Sequence, residues 1–171
     1  MPRTPSTLDN MNPTPARCLI LACGNTLRSD DGVGPWLAEW AEETFASDAG
    51  VRILIHQQWP PELAEDIART ESVHFIDCSI ESPPGTPELQ EVRPAAPKQG
   101  HATHHLAAPE LLALAQELYA SQPTNAMLLT IGAGSTELGE AFSDPVIDAL
   151  PAACALIEKT ILKWLSAPAN S

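Results

Sequence analysis

Apolar and polar positions along the chain follow two alternating patterns. The run 18–23 is continuously apolar, which is typical of a parallel strand covered on both faces. Further strands are predicted at 51–56, 73–77, 89–92 and 126–132, of which 89–92 is short, weakly apolar and expected at a sheet edge. Because helical segments separate these strands, the pattern predicts an α/β fold with a mostly parallel sheet of about five strands.

The segments between the strands have apolar residues at the three- and four-residue spacing of amphipathic helices. Helices are predicted on this basis at 34–46, 61–68 and 109–118. In a fourth helix, Ser143 or Asp144 is expected to act as the N-cap before Pro145. Pro151 should kink or restart that helix, because proline lacks the backbone donor of an interior turn.

The chain length of 171 residues is enough for one domain with a buried core. We expect residues 17–166 to form a single α/β domain and residues 167–171 to be a frayed end. Residues 1–16 are rich in Pro, Thr, Asn and Ser, and we expect a disordered tail there. No apolar segment of the kind found in a secretory signal follows Arg3, and no run approaches the ~18 apolar residues of a membrane helix.

Charge and cysteine content narrow the possible partners. The formal net charge of −13 would repel phosphate backbones, so we expect neither nucleic acid nor membrane as a partner. The four cysteines match neither a zinc ribbon nor a CxxC redox pair and lie in or beside apolar segments, as small buried hydrophobic residues do. This usage fits a reducing cytoplasm, where we expect the protein.

Acidic and imidazole side chains follow the apolar runs at three places. Asp30 and Asp31 come shortly after the first strand, and Asp77 closes the third strand. The long loop before the helix at 109–118 holds three further candidates, His101, His104 and His105. Carboxylate and imidazole groups are ligands of divalent transition metals, and the carboxyl ends of strands in an open α/β sheet converge on one crevice. The sequence therefore predicts a metal-binding or metal-sensing site there.

Each of these residues also has a structural explanation. One of Asp30 and Asp31 is expected to cap or charge the start of the following helix, which leaves the other to face the crevice. Asp77 would otherwise hydrogen-bond a neighbouring loop amide, and loop histidines are often plain surface residues. His56, at the end of the second strand, is expected to be a polar stop that is also within reach of the crevice.

The turn at 24–26 offers a different type of site. Backbone N–H groups after a strand can cradle an anion, although the GxGxxG spacing of a dinucleotide site is absent. One alternative function is therefore a non-catalytic α/β module that binds an anion at this turn. A self-sufficient metal-dependent hydrolase is a further alternative. A covalent acyl-enzyme is disfavoured, because no Ser/His/Asp set is evident and no cysteine has an activating neighbour.

Three motifs together resemble those of the maturation endopeptidases of nickel–iron hydrogenases. The motifs are Gly24-Asn25-x-Leu27-x-x-Asp30-Asp31-Gly32-x-Gly34, Phe75-Ile76-Asp77 and Thr103-His104-x-Leu106. Weaker likenesses are Pro61-Glu62-Leu63-Ala64 at the second helix and Gly132-x-Gly134 after the last strand. The resemblance covers roughly 17–165, and the first motif is its most specific part.

The resemblance implies a three-layer α/β/α sandwich and a protease that removes the C-terminal extension of a hydrogenase large-subunit precursor after nickel insertion. It implies that Asp31, Asp77 and His104 contact nickel and carry catalysis, with the nickel brought by the substrate. The precursor is then the partner, and we expect the enzyme to act as a monomer.

The chain departs from the family pattern at two places. The family often has Glu at the position of Asp31, so the reach of the carboxylate here is about one methylene shorter. Many members have a Gly-Thr segment between the second strand and second helix, where this chain reads Gln57-Gln58-Trp59-Pro60.

Overall fold

A five-stranded sheet forms the centre of the protein. The structure is a computed structural model that describes residues 16–96 and 106–168. The strands are β1 Cys18–Cys23, β2 Val51–His56, β3 Ser72–Ser79, β4 Pro87–Glu91 and β5 Asn125–Gly132. The helices are α1 Val33–Thr44, α2 Leu63–Ala68, α3 Ala108–Tyr119 and α4 Asp144–Ser166, and a 3-10 turn at Ser29–Gly32 precedes α1.

The strand order β2-β1-β3-β5-β4 explains where a crevice opens. β1 pairs with β2 on one side and with β3 on the other, and these strands and β5 are all parallel. Only β4 is antiparallel, and it lies at the edge beside β5, as its weak apolar pattern predicted. The helix that follows β1 (α1) packs on one face of the sheet, and the helix that leads into β3 (α2) packs on the other. The carboxyl ends of β1 and β3 therefore flank a topological switch point, where ligands bind in such folds.

Successive side chains along each strand point to opposite faces of the sheet, so the interior is divided into two cores, one on each face. On β1, Ile20 and Ala22 pack on one face with residues of α1 and α4. Leu19 and Leu21 pack on the opposite face with residues of α2 and α3. All four of these side chains are fully buried, and the helix–sheet–helix layering confirms the expected α/β sandwich.

Three details differ from the sequence-based predictions. β3 continues beyond Asp77 to Ser79, because pairing with β5 carries on past the end of β1. α4 is one continuous helix through Pro151 rather than two pieces. Ser143 does occupy its N-cap position, but its hydroxyl does not cap the helix.

Several predictions fall on residues outside the described ranges. These include most of the predicted disordered tail, the last three residues, and the loop histidines His101, His104 and His105. Within the described ranges, no helix is both long and apolar enough to cross a bilayer.

Candidate functional site

Two glycines bring the start of α1 against the ends of the central strands. Gly24 leaves β1 with a φ of +145°, and a Cβ there would lie 1.9 Å from the carbonyl oxygen of Asp31. A Cβ on Gly34 would lie 2.2 Å from the carbonyl oxygen of Cys23. Neither approach tolerates a side chain, so these glycines fold the β1–α1 loop, residues 24–32, tightly over the mouth of the sheet.

Asp30 is fully buried and fastens this loop to the segment between β5 and α4. Its carboxylate accepts hydrogen bonds from the backbone N–H groups of Gly134, Ser135 and Ser143 at 2.7, 2.9 and 2.7 Å, and from the Ser143 hydroxyl at 2.7 Å. Burial raises the pKa of Asp30, but these four donors outweigh it and hold the pKa below its usual value. Asp30 is therefore a structural anion.

Asp31 turns toward the crevice instead. It is half-buried, and its Oδ2 accepts a hydrogen bond from the backbone N–H of Asn25 at 3.0 Å. The two adjacent acids thus divide as expected into one structural and one crevice-facing residue. The expected capping role is wrong, however, because neither acid caps α1, whose N-cap position is Gly32. The donors that Asp30 satisfies belong to a segment more than one hundred residues later.

Asp77 approaches the same crevice from β3. The backbone N–H of Cys78 donates a hydrogen bond to its Oδ1 at 2.7 Å, and interaction with the Cys23 thiol, at the end of β1, also lowers the pKa of Asp77. Burial is the largest cause of the raised pKa of Asp77, and the negative charge of Asp31 raises it further. A nearby cation would therefore stabilise the ionised form of Asp77.

Asp31 and Asp77 line one open cavity of about 480 Å³. Its walls also include Cys23, Gln57, Gln58, Trp59, Leu128 and the first residues of α3. The structure therefore brings together side chains from the β1–α1 loop, β3, the β2–α2 loop and the start of α3. This position is the topological switch point of the sheet.

The predicted third ligand, His104, lies outside the described residues, and so do His101 and His105. The described chain resumes at Leu106, which lines the cavity. Across residues 16–96 and 106–168, no three His, Cys, Asp or Glu side chains are grouped closely enough to hold a metal ion. His56 ends β2 as predicted and is not part of the cavity wall.

The cysteines near the site are poorly suited to nucleophilic chemistry. Burial, followed by the charge and hydrogen bond of Asp77, raises the pKa of the Cys23 thiol. Burial and the neighbouring carboxylates of Asp31 and Asp77 raise the pKa of Cys78 to about 12. A thiol attacks as its thiolate, so both side chains are inert at neutral pH.

In the turn at 24–26, the backbone donors of Gly24 and Asn25 are already paired within the protein, which leaves little of an anion cradle. The N–H of Gly24 donates to the carbonyl of His56 at 3.1 Å. The N–H of Asn25 donates to Asp31, and the N–H of Leu27 donates to the Asn25 side chain at 2.9 Å. A carboxylate of the protein thus occupies the position at which an anion would bind.

Trp59 is a cavity residue that sequence reasoning did not assign to the site. The sequence marks Gln57-Gln58-Trp59-Pro60 only as a departure from the family pattern. In the structure Trp59 is 5% exposed, packs edge-on against Phe75 with ring centroids 5.2 Å apart, and lines the cavity. The available signal was its position, since it is a large aromatic residue just beyond the carboxyl end of β2, the strand next to β1.

Comparison with solved structures identifies proteins with the same fold. The NiFe hydrogenase maturation protease HybD from Thermococcus kodakarensis has 24% identity and a TM-score of 0.63, with 84% of this chain and 98% of that chain covered. The protease HycI from the same organism has 24% identity and a TM-score of 0.63, with 89% and 94% covered. The HybD endopeptidase from E. coli has 21% identity and a TM-score of 0.62, with 86% and 93% covered.

These likenesses confirm the fold that the sequence motifs implied. Several of the solved structures that share it carry the names of hydrogenase maturation proteases or peptidases, which is the family that the motifs resemble. No protein-family model matches the chain, and no curated protein matches it. The activity of this chain is therefore argued from its site.

Proposed function

We propose that this protein is an endopeptidase that removes the C-terminal extension of a nickel–iron hydrogenase large-subunit precursor after nickel insertion. Nickel carried by the precursor is recognised by Asp31, Asp77 and His104. The proposal follows the family resemblance of the three motifs, and the proteins that share the fold are named as proteases of this kind.

The observation that carries the proposal is the meeting of Asp31 and Asp77 in one cavity at the switch point. The two acids come from a loop and a strand that are 46 positions apart, yet the charge of Asp31 raises the pKa of Asp77. Two carboxylates that repel one another in a partly buried site favour a divalent cation, which neutralises both. A cation delivered by the substrate would therefore strengthen docking.

Connectivity supports His104 as the third ligand. Leu106 lines the cavity, and two residues of extended chain span at most about 7 Å. In the sequence, His104 precedes this cavity residue by two positions, which favours it as the third ligand. An imidazole added to two carboxylates gives an O,O,N ligand set, which suits a first-row transition metal and leaves coordination positions for groups of the precursor.

Recognition of the metal would explain why the enzyme waits for nickel. When the precursor lacks nickel, docking would bury three polar ligands without a partner, and each costs binding free energy. When nickel is present, the same ligands hold it and bring the scissile peptide into the cavity. Activation of water by the metal or by a free carboxylate then needs no covalent intermediate, which agrees with the raised thiol pKa values.

Cleavage of a purified, nickel-loaded precursor tests this function. We expect the protein to shorten the large subunit at its C-terminus, as intact-mass measurement would show, without added cofactor. The purified protein itself should contain less than one equivalent of metal before it meets the precursor. A protein that holds a full equivalent of zinc and cuts unrelated peptides would instead be a self-sufficient hydrolase.

The anion-binding module is disfavoured by the occupied donors of the 24–26 turn. Titration calorimetry separates it from the proposed function. Heat from a nucleotide or phosphate titration, with no cleavage of the nickel-loaded precursor, would support the module and contradict the protease.

A further inference from the structure

The indole nitrogen of Trp59 is a buried donor that has no acceptor. Its Nε1 atom is inaccessible to solvent and makes no hydrogen bond with any group in residues 16–96 and 106–168. Buried donors are nearly always paired, because leaving one unpaired carries the full cost of removing it from water. An unpaired donor in a cavity wall therefore suggests that the acceptor arrives with a ligand.

We propose that the Trp59 N–H donates a hydrogen bond to a main-chain carbonyl oxygen of the precursor peptide bound in the cavity. The inference rests on the proposed function and adds a substrate-binding residue to it. The indole can only donate, so its partner must be an acceptor, and an extended peptide supplies one carbonyl at every residue. Asp31 and Asp77 line the same cavity but remain available for the cation.

The surroundings of Trp59 hold the ring in place for this task. Its edge-on packing against Phe75, with an interplanar angle of 66°, and its burial beside Leu63 and Ala64 of α2 fix the plane of the indole. A rigid donor loses little conformational entropy when it binds. Because Nε1 is covered in the free protein, contact with the peptide requires a small displacement of the atoms that cover it.

A second buried side-chain atom without a partner shows why position matters. The Nε2 atom of His74 is also unpaired, but His74 lies in the middle of β3 and its ring packs against Trp164 of α4. His74 does not line the cavity that holds the two acids. Of these two residues, only Trp59 lines the cavity in which a peptide would bind.

The position of Trp59 in the segment 57–60 gives chemical meaning to the departure of that segment from the family pattern. Where many relatives have a Gly-Thr segment, this chain places a large aromatic donor, so its contact with the peptide differs in kind. The cavity wall between β2 and α2 is therefore expected to influence which peptide fits, while the two acids detect the metal.

Replacing the donor while keeping the shape tests the proposal. Trp59→Phe removes the N–H, and the isosteric analogue benzothienylalanine at position 59 removes it without changing the ring outline. With the nickel-loaded precursor we expect both to raise KM about three- to tenfold, with a smaller change in kcat, as loss of one neutral hydrogen bond predicts. Trp36→Phe is the matched control, because Trp36 is 39% exposed and lies outside this cavity.

Thermal unfolding supplies the second readout. Removal of an unpaired donor leaves no broken bond behind, so the benzothienyl variant should unfold at the wild-type temperature or slightly above it. A clear loss of stability in that variant would show that the N–H has a structural partner and would overturn the proposal. Full activity in the benzothienyl variant would also overturn it, since only shape would then matter.

Failure of this inference can be told apart from failure of the proposed function. If the wild type cuts the nickel-loaded precursor and the Trp59 variants cut it equally well, the protease stands and the role of Trp59 is wrong. If the wild type does not cut the precursor at all, the proposed function fails and this inference fails with it.

Discussion

The two loops that border the cavity are built on opposite principles. In the β1–α1 loop, polar groups are paired within the protein, and the buried Asp30 alone accepts four hydrogen bonds. In the β2–α2 loop, residues 57–62, the buried indole donor of Trp59 has no acceptor in the part of the chain that the structure describes. The first loop therefore fixes the geometry of the acid that faces the cavity, while the second leaves a donor that the proposed substrate could use.

The largest expected effect comes from the acids that face the cavity. Asp77→Asn should lower kcat/KM for the nickel-loaded precursor by about 100-fold or more, because it removes the charge of a proposed nickel ligand. Asp31→Asn should do the same, whereas Asp31→Glu should stay within roughly tenfold of the wild type, since the carboxylate is retained. Quantified precursor cleavage provides the measurement.

Matched variants show whether these losses are specific. Asp148→Asn changes an exposed acid of α4 and should leave cleavage unchanged. His104→Ala should lose activity, while His105→Ala should retain it. Normal cleavage by Asp77→Asn or His104→Ala would contradict the ligand assignment.

Substitutions at Asp30 test whether internal hydrogen bonds hold the β1–α1 loop in place. Asp30→Ala leaves three backbone N–H groups and one hydroxyl without their acceptor, so the free energy of unfolding should fall by about 3 kcal/mol or more. Asp30→Asn should cost less, since its carbonyl oxygen still accepts. Urea denaturation measures both, and a loss below about 0.5 kcal/mol for Asp30→Ala would show that the loop is not held in this way.

The buried imidazole of His74, whose Nδ1 contacts the Phe75 carbonyl oxygen, offers a further test outside the two loops. Burial lowers the pKa of His74 to about 4, against a weaker opposing effect of the Phe75 carbonyl. The unfolded state therefore binds the extra proton first, and the contribution of His74 to stability is lost as pH falls from about 6.5 to about 4. The loss should be roughly 3 kcal/mol at most.

The measurement is urea denaturation at a series of pH values for the wild type and His74→Leu. The leucine variant should have a flatter stability profile over this interval, because it has no imidazole to protonate. Identical slopes for the two proteins would show that His74 does not carry this pH dependence.

The smallest effect is expected at Cys78. Its thiol, with a pKa of about 12, takes no part in the proposed chemistry, so Cys78→Ala should keep kcat/KM within about twofold of the wild type. Alkylation kinetics on the wild type offer an independent check. Loss of activity upon this substitution, with stability unchanged, would require a role for the thiol.

Much of the fold could be predicted from the sequence because buried parallel strands are continuous apolar runs. β1 and β2 have the predicted bounds, and the edge position of β4 followed from its weak apolar pattern. The end of β3 was predicted too early, because Asp77 looks like a polar stop in the sequence. Its place in the strand depends on pairing with β5, which no local pattern reveals.

The candidate site could be predicted less completely. Asp30 and Asp31 are identical neighbours in the sequence, and only donors contributed by Gly134, Ser135 and Ser143 decide which of them is buried. The missing acceptor of Trp59 likewise depends on packing between distant elements. Sequence patterns therefore predict where the crevice lies, whereas hydrogen bonds between distant segments determine which side chains are structural and which face the cavity.

The most direct measurement compares nickel-loaded and nickel-free precursor as substrates for the wild-type protein under identical conditions. Recognition of the metal by Asp31, Asp77 and His104 predicts that only the nickel-loaded precursor is cut. Cleavage of both forms at the same rate would contradict the account.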